Sequence, residues 1–322
     1  MNKNKNSDWW LHSIIYMIDI LSFQDSNGDG MGDIDGIISR LEYIAGLGVN
    51  TIGLLNRGLD NSTDSLPIKK ADLKRLRDCS VKLGLRVISN LDIDVLTMVQ
   101  LTRPIPSGWR WLGKFKQQII SRQSLLSWGV VAFENQRWCR LASCYGKSGY
   151  REQVAKLFAT LTMTLRGTPM LYYGQELGLA DAADGKCYDR EPMHWDDSVN
   201  AGFTEAKLPW LAISDDYAEV SVAVEDNDYS SILNYYRRLI AWRKSSLILQ
   251  DGSIQFIEDK KPILCYLRNL GDRSLLVVAN LTHRSTRPTT KLAGKIIQAS
   301  YNDRETLDNQ VLRPYEAIVV EL

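Results

Sequence analysis

Residues 10–23 carry a dense apolar run, IIYMIDILSF, whose β-branched content predicts a buried strand that stops at the turn-rich stretch 24–33. Over residues 34–47 the period lengthens. Ile37, Ile38, Leu41, Ile44 and Ala45 recur at helical spacing, Gly46 and Gly48 mark the stop, and VNTIGLL predicts the next strand. Residues 70–83 predict a second amphipathic helix closed by Gly84, followed by a short strand within LRVISNLDIDVL. Past an irregular stretch at 104–111, the pattern predicts a helix over 114–125, a strand in GVVAFEN, a helix over 151–165 and a strand in TPMLYYG. Strands that alternate with helices in this way predict parallel βαβ units.

Periodicity fades over residues 180–228, and 229–249 then predicts a long amphipathic helix with Ile232, Leu233, Tyr236, Leu239 and Ile240 on one face. Beyond it, SIQFIE, ILCYLRN, SLLVVANLT, KIIQAS and YEAIVVEL alternate at period two between Gly, Asp and Pro turns, as in an antiparallel β-sandwich. The expected division is therefore a barrel-like domain over 1–249 and a sandwich over 250–322. A sheet that small needs a cover from the preceding domain. The length of 322 residues agrees with two domains, and 44% hydrophobic with 24% charged residues is the balance of a soluble globular chain.

A formal net charge of +1 argues against nucleic acid as a partner, and the lack of any long apolar run argues against a membrane span. Asp8 and His12 interrupt what would have to be the apolar core of an export signal. Five cysteines (Cys79, Cys139, Cys144, Cys187 and Cys265), odd in number and without a CxxC pair, fit the reduced thiols of a cytoplasmic protein.

The sharpest local motif is DSNGDGMGD, which places Asp25, Asn27, Asp29 and Asp33 at alternate positions with the Met31 carbonyl between them. Hard oxygen ligands on a glycine-rich curl predict a structural calcium ion. An EF-hand is excluded, because Gly36 stands where its bidentate glutamate belongs and a strand precedes the loop.

Trp9 and Trp10, SFQDSNGDGMGDIDGIISRLEYIAGLGV, GTPMLYYGQELGL and REPMHWDDSVNAGFT together resemble the alpha-amylase family, in its oligo-1,6-glucosidase and trehalose-6-phosphate hydrolase branch. The resemblance implies an α/β fold, a (β/α)8 TIM-type barrel with a C-terminal antiparallel β-sandwich. It also implies retaining cleavage of α-glucosidic bonds at the carboxyl ends of the barrel strands. The barrel is expected to be partial, because the chain passes from the third-strand region near Leu91 almost directly to the sixth helix near Lys114. The insertion domain and the family's acid/base glutamate fall in the missing part.

The family's Asn-His-Asp run after strand seven aligns with Asn135, Gln136 and Arg137, so a cation replaces a transition-state carboxylate. LRVISNLDIDVL aligns in two ways. One leaves Asn90, Asp94 and Val95 on strand three, and the other puts Asp94 at the nucleophile position with Asp92 in place of its arginine. Asp94 and Glu134 are thus weak catalytic candidates, and Asp64, Asn135 and Arg190 are candidate substrate-binding residues. His12, His194 and His283 have no metal-ligand spacing, and Cys139 and Cys144 have no histidine beside them. Trp109, Trp111, Trp138, Trp195, Tyr172 and Tyr173 are either sugar-stacking aromatics or core.

The expected function is a catalytically inactive relative of the α-glucosidases, calcium-stabilised, that binds an α-glucoside or a protein partner. A second copy of this chain at the exposed barrel edges is one candidate partner. The alternative is an active α-glucoside hydrolase or transferase that rebuilt its carboxylate pair from Asp94 and Glu134, about 5 to 5.5 Å apart as retention requires.

Overall fold

A computed structural model describes residues 9–55, 68–89, 109–125, 128–135, 140–145, 149–181, 190–307 and 309–322, without the side chains of 109–112 and 125. Five parallel strands form the first sheet: β1 (Ile15–Asp19), β2 (Thr51–Leu55), β3 (Arg86–Ser89), β4 (Val130–Val131) and β5 (Thr168–Tyr172). Their order is β3-β2-β1-β5-β4. Ile15 pairs with Thr51 on one side and Met170 on the other, and Val130 pairs with Thr168. The first strand in sequence thus sits between the second and the last, the neighbour relation of a barrel's first strand. Among the described residues these strands form an arc of the kind a (β/α)8 barrel contains. β1 is buried along its whole length, which explains its unbroken apolar run.

The helices are α1 (Ile20–Phe23), α2 (Ile34–Ser39), α3 (Leu41–Gly46), α4 (Lys70–Lys82), α5 (Trp109–Leu125), α6 (Leu141–Tyr145), α7 (Arg151–Thr164), α8 (Val222–Asp226), α9 (Ile232–Ser245) and α10 (Leu247–Gln250). Two helices expected to be continuous are broken. The first divides at Arg40, whose ψ of 10° leaves the helical region, and the second at Ser246, whose ψ of 99° is extended. Local apolar period cannot register such a break, because the same face continues toward the core on both sides of it.

The second sheet is antiparallel, with β6 (Ser253–Ile257), β7 (Ile263–Leu270), β8 (Arg273–Asn280), β9 (Lys295–Ala299) and β10 (Ala317–Glu321) in the order β6-β7-β8-β10-β9. Its alternating residues feed two cores. Leu264, Tyr266, Val277, Ala279 and Val319 pack with Phe115, Leu157, Leu161, Ile248 and Leu249, whereas Cys265, Val278, Ile318 and Val320 pack with Leu292 and Leu312. The outer layer among the described residues is the segment carrying the Thr286–Leu312 bridge. The inner cover comes from the preceding segment, chiefly from α5, α7 and α10.

Two buried arginines fasten this junction. Arg243 donates to the carbonyls of Met163 (2.5 Å), Leu165 (3.4 Å) and Gly167 (2.6 Å), and Arg268 to those of Thr164 (2.7 Å), Leu249 (3.0 Å) and Gly252 (2.8 Å). They gather the carbonyls around the end of α7, where the helix dipole is negative and main-chain acceptors lack helical partners. A fragment comprising only residues 250–322 would expose the inner face of the sheet and leave Arg268 without Thr164. It should show no cooperative melt and no dispersed amide spectrum. A folded fragment would disprove the dependence.

Glu225 adds a pH-dependent contribution. Its carboxyl accepts the Leu233 N–H (2.9 Å) in the first turn of α9, yet burial dominates and pushes its pKa from 4.5 up to about 8. The folded state therefore holds a proton that the unfolded chain releases, and stability falls as pH rises from about 4.5 to 8. Melting temperature should be lower at pH 8 than at pH 5.5, and Glu225→Gln should narrow the difference. An equal difference in both proteins would refute the assignment.

Candidate functional site

The carboxyl ends of β1, β4 and β5 bring together the residues that would line a barrel mouth. Asp19 ends β1, Glu134 and Asn135 follow β4, and Tyr172 and Tyr173 end or follow β5. All five are buried. Asp19 accepts from Arg190 Nε at 2.6 Å and Nη2 at 3.2 Å, an ion pair 2% and 0% exposed, and the guanidinium lies 4.7 Å from the Trp210 ring centre. Arg190 is thus engaged by the protein's own acid at the place where it was expected to meet a sugar.

Glu134 is closed in the same way. Its Oε2 accepts from Arg140 Nη1 at 3.1 Å and its Oε1 accepts the Leu141 N–H at 2.9 Å. Arg140 also donates to the Tyr173 carbonyl at 2.6 Å and stacks near the rings of Tyr172 and Tyr173, with no part of it reaching solvent. Burial raises the Glu134 pKa, opposed by Arg140 and the Leu141 N–H. A raised pKa suits a general acid. Both oxygens, however, are already committed to donors, and the carboxyl is 2% exposed.

Arg140 was not among the residues singled out from sequence, and only its six-residue distance from Glu134 could have suggested it. Asp64, Asp94, Gln136, Arg137, Trp138 and Cys139 lie outside the described residues, as do the side chains of Trp109 and Trp111. Trp195, Tyr172 and Tyr173 belong to the core: the Trp195 ring meets Phe23 and Tyr43 edge-on at 5.1 Å, and its indole N–H binds the Phe23 carbonyl. His194 is buried against Glu191 (3.1 Å) and the Val220 carbonyl (2.9 Å). Cys79 and Cys265 are free, but Cys144 is disulfide-bonded, against the expectation of uniformly reduced thiols.

The 25–33 loop is a nest of side-chain to main-chain bonds. Asp25 Oδ1 accepts from the N–H groups of Asn27 and Gly28, and Oδ2 from Gly30 N–H (2.8 Å) and the Thr204 hydroxyl (2.5 Å). These donors hold its pKa below the usual range against a desolvation that would raise it. Asp25 thus pins the loop to the 190–204 segment through Thr204, and Asp33 likewise accepts from the Ser26 N–H and hydroxyl. Asn27 and Asp29 are exposed, and Asp33 caps α2 through Gly36 N–H at 2.7 Å. Gly36 itself cannot be replaced by a ligand residue, because a Cβ there would stand 2.0 Å from the Gln24 carbonyl. Among the described residues no three His, Cys, Asp or Glu side chains converge as a metal-binding group. Any ion here therefore depends on the Asn27 amide and the Met31 carbonyl as well as on carboxylates.

The model of the alpha-amylase catalytic domain matches residues 18–55 and 108–252, more than half of the chain. The chain belongs to the alpha-amylase family. It is 31% identical over 251 residues to an oligo-1,6-glucosidase of Heyndrickxia coagulans, covering 64% of this chain and 44% of that protein. A glucan 1,6-alpha-glucosidase of Streptococcus pneumoniae is 30% identical over 234 residues, covering 61% and 43%. The chain thus spans less than half the length of these relatives. In three dimensions it resembles a trehalulose synthase variant in complex with Tris (TM-score 0.78, 19% identity, 98% of this chain and 100% of that one). It also resembles the trehalose-6-phosphate hydrolase of Bacillus licheniformis (TM-score 0.76, 19% identity, 97% and 99%). This family member retains the arc of strands on which such sites are built. Among its described residues no helix is long and apolar enough to cross a membrane.

Proposed function

We propose that this chain is a contracted, non-hydrolytic member of the alpha-amylase family whose first loop holds a calcium ion. The observation that carries the reading is the closure of Glu134 by Arg140 and the Leu141 N–H, beside an Asp19 already paired with Arg190. Retaining cleavage needs one carboxylate free to attack the anomeric carbon and a second free to protonate the leaving oxygen. At the described strand ends the acids instead serve as counter-ions for the protein's own arginines. In sequence, Arg137 stands where relatives of this branch carry an aspartate, which supports the same conclusion. Purified protein should release no glucose from an aryl α-glucoside. Turnover that disappears in Glu134→Gln would overturn the reading.

The calcium reading rests on donor type and spacing. Asp25, Asn27, Asp29, Asp33 and the Met31 carbonyl would hold the ion, Asp25 also fixing the loop that presents them. A bound calcium would neutralise the acidic curl and rigidify the turn between β1 and α2. An ion that binds only the folded state stabilises it by about 4 kcal/mol at a thousandfold excess over its dissociation constant. Chelator should lower the melting temperature by several degrees, and Asp29→Ala should abolish that response. A melt indifferent to chelator would remove the site.

A further inference from the structure

A cavity of about 590 Å³ lies between the 25–33 loop and the 196–205 segment, lined in part by Gln24, Arg40, Asp196, Ser198, Gly202 and Glu205. None of the strand-end acids discussed above lines it. Its walls contain a donor and an acceptor that the protein leaves unspent. Arg40 is held rigidly: Nε donates to Gln24 Oε1 at 2.7 Å, and the guanidinium stacks 4.1 Å from the Trp195 ring centre. Among the described residues, its two terminal nitrogens have no hydrogen-bond acceptor. Gln24 cannot serve them further, because its amide nitrogen is already directed at the carbonyls of Asp25, Gly202 and Phe203.

Asp196 is fixed with equal care. Its Oδ1 accepts both the N–H and the hydroxyl of Ser198, while among the described residues nothing donates to Oδ2. Gly202, at φ +68°, makes this placement feasible, since a Cβ there would stand 2.6 Å from Asp196 Oδ2. Arg40 and Asp196 sense each other electrostatically, Asp196 partly offsetting the effect of burial on Arg40, yet they do not close into an ion pair. A fixed donor fork and a fixed acceptor therefore face one cavity without satisfying each other.

A free anion would be repelled by the carboxylates of Asp25, Asp196 and Glu205, which outnumber Arg40, and a bare cation would leave the Arg40 fork without an acceptor. A hydroxyl both accepts from a guanidinium and donates to a carboxylate. We propose that this cavity binds a small neutral polyol, with neighbouring hydroxyls bridging the Arg40 terminal nitrogens and Asp196 Oδ2. The proposal goes beyond the non-hydrolytic reading and does not depend on it, because neither Glu134 nor Asp19 lines the cavity, although Asp25 and Asn27 of the 25–33 loop do.

The test is saturation-transfer difference NMR on the full chain with glycerol and glucose as probes and acetate and glycine betaine as competitors. Glucose should give a transfer signal, and Arg40→Met and Asp196→Asn should each weaken binding about tenfold or more, as expected for losing a hydrogen bond to a charged group. Arg40→Lys, which keeps the charge but loses the fork, should weaken it likewise and replaces Arg40→Met if that variant does not fold. Turnover is assayed separately, so hydrolysis of a glucoside would refute the non-hydrolytic reading and leave this one standing. Absence of signal up to about 100 mM of either polyol, a signal unchanged in the folded variants, or displacement by acetate or betaine would overturn the proposal.

Discussion

Incubated with maltose, isomaltose, trehalose 6-phosphate or an aryl α-glucoside, the purified protein should produce glucose no faster than buffer. General acid catalysis alone is worth about a hundred- to ten-thousandfold, and a nucleophile and its acid act as a unit, so losing one strips the other of most of its effect. In sequence Arg137 aligns with an aspartate of relatives, and a cation at that place would oppose the developing oxocarbenium charge that a carboxylate there stabilises. Arg137→Asp should therefore restore nothing by itself. Freeing Glu134 with Arg140→Met should also fail, because removing the cation leaves a buried carboxyl with one fewer donor, and the other acid at the described strand ends, Asp19, is already paired with Arg190. The outcome that would reverse this reading is turnover that survives purification and is lost in both Asp94→Asn and Glu134→Gln. That pattern would establish a rebuilt carboxylate pair.

The largest stability effect is expected at the arginine pair that ties α7 to the antiparallel sheet. Arg243 and Arg268 are almost wholly buried and donate only to main-chain carbonyls, so burial lowers their pKa values, to about 9 and about 10. Both remain charged near neutrality. Arg268→Met would leave the carbonyls of Thr164, Leu249 and Gly252 without the donor that now satisfies them. Leaving a buried acceptor unsatisfied costs about 1–3 kcal/mol, and relief of the arginine's own desolvation offsets part of the sum, for a net loss of roughly 2–4 kcal/mol. A domain of this size loses about 2–4 °C per kcal/mol, so a drop of roughly 4–16 °C is expected. Arg268→Lys should recover little, since one ammonium cannot reproduce the fork. Arg273→Met is the control. That residue is 66% exposed in its pair with Glu321 and should shift the melt by less than about 1 °C. Equal shifts at Arg268 and Arg273 would refute the bracing role.

The alternation of strand and helix, the antiparallel C-terminal module and the curl of the 25–33 loop were legible along the chain, because each is written in neighbouring residues. A strand buried on both faces is continuously apolar, as 15–18 is, and a cap such as Asp33 lies three residues from the N–H it accepts. The family, too, could be read from short motifs. What the linear pattern could not reveal is how the ionisable groups are paired. Asp19 and Arg190 are 171 positions apart, and Arg268 is 104 positions from the carbonyl of Thr164. From sequence Arg190 was a candidate for a ligand, and His194 was a packed or solvated residue with no assigned partner.

Only the fold places Arg190 on Asp19 and His194 on Glu191. The same limit explains the helix breaks at Arg40 and Ser246 and the cover of the second sheet, which are settled by packing between segments. The apolar period specifies which face turns inward, and the tertiary structure decides what that face meets. For this chain, that decision turns a set of acids placed at the strand ends into counter-ions, because a buried charge persists only where a partner compensates its lost hydration.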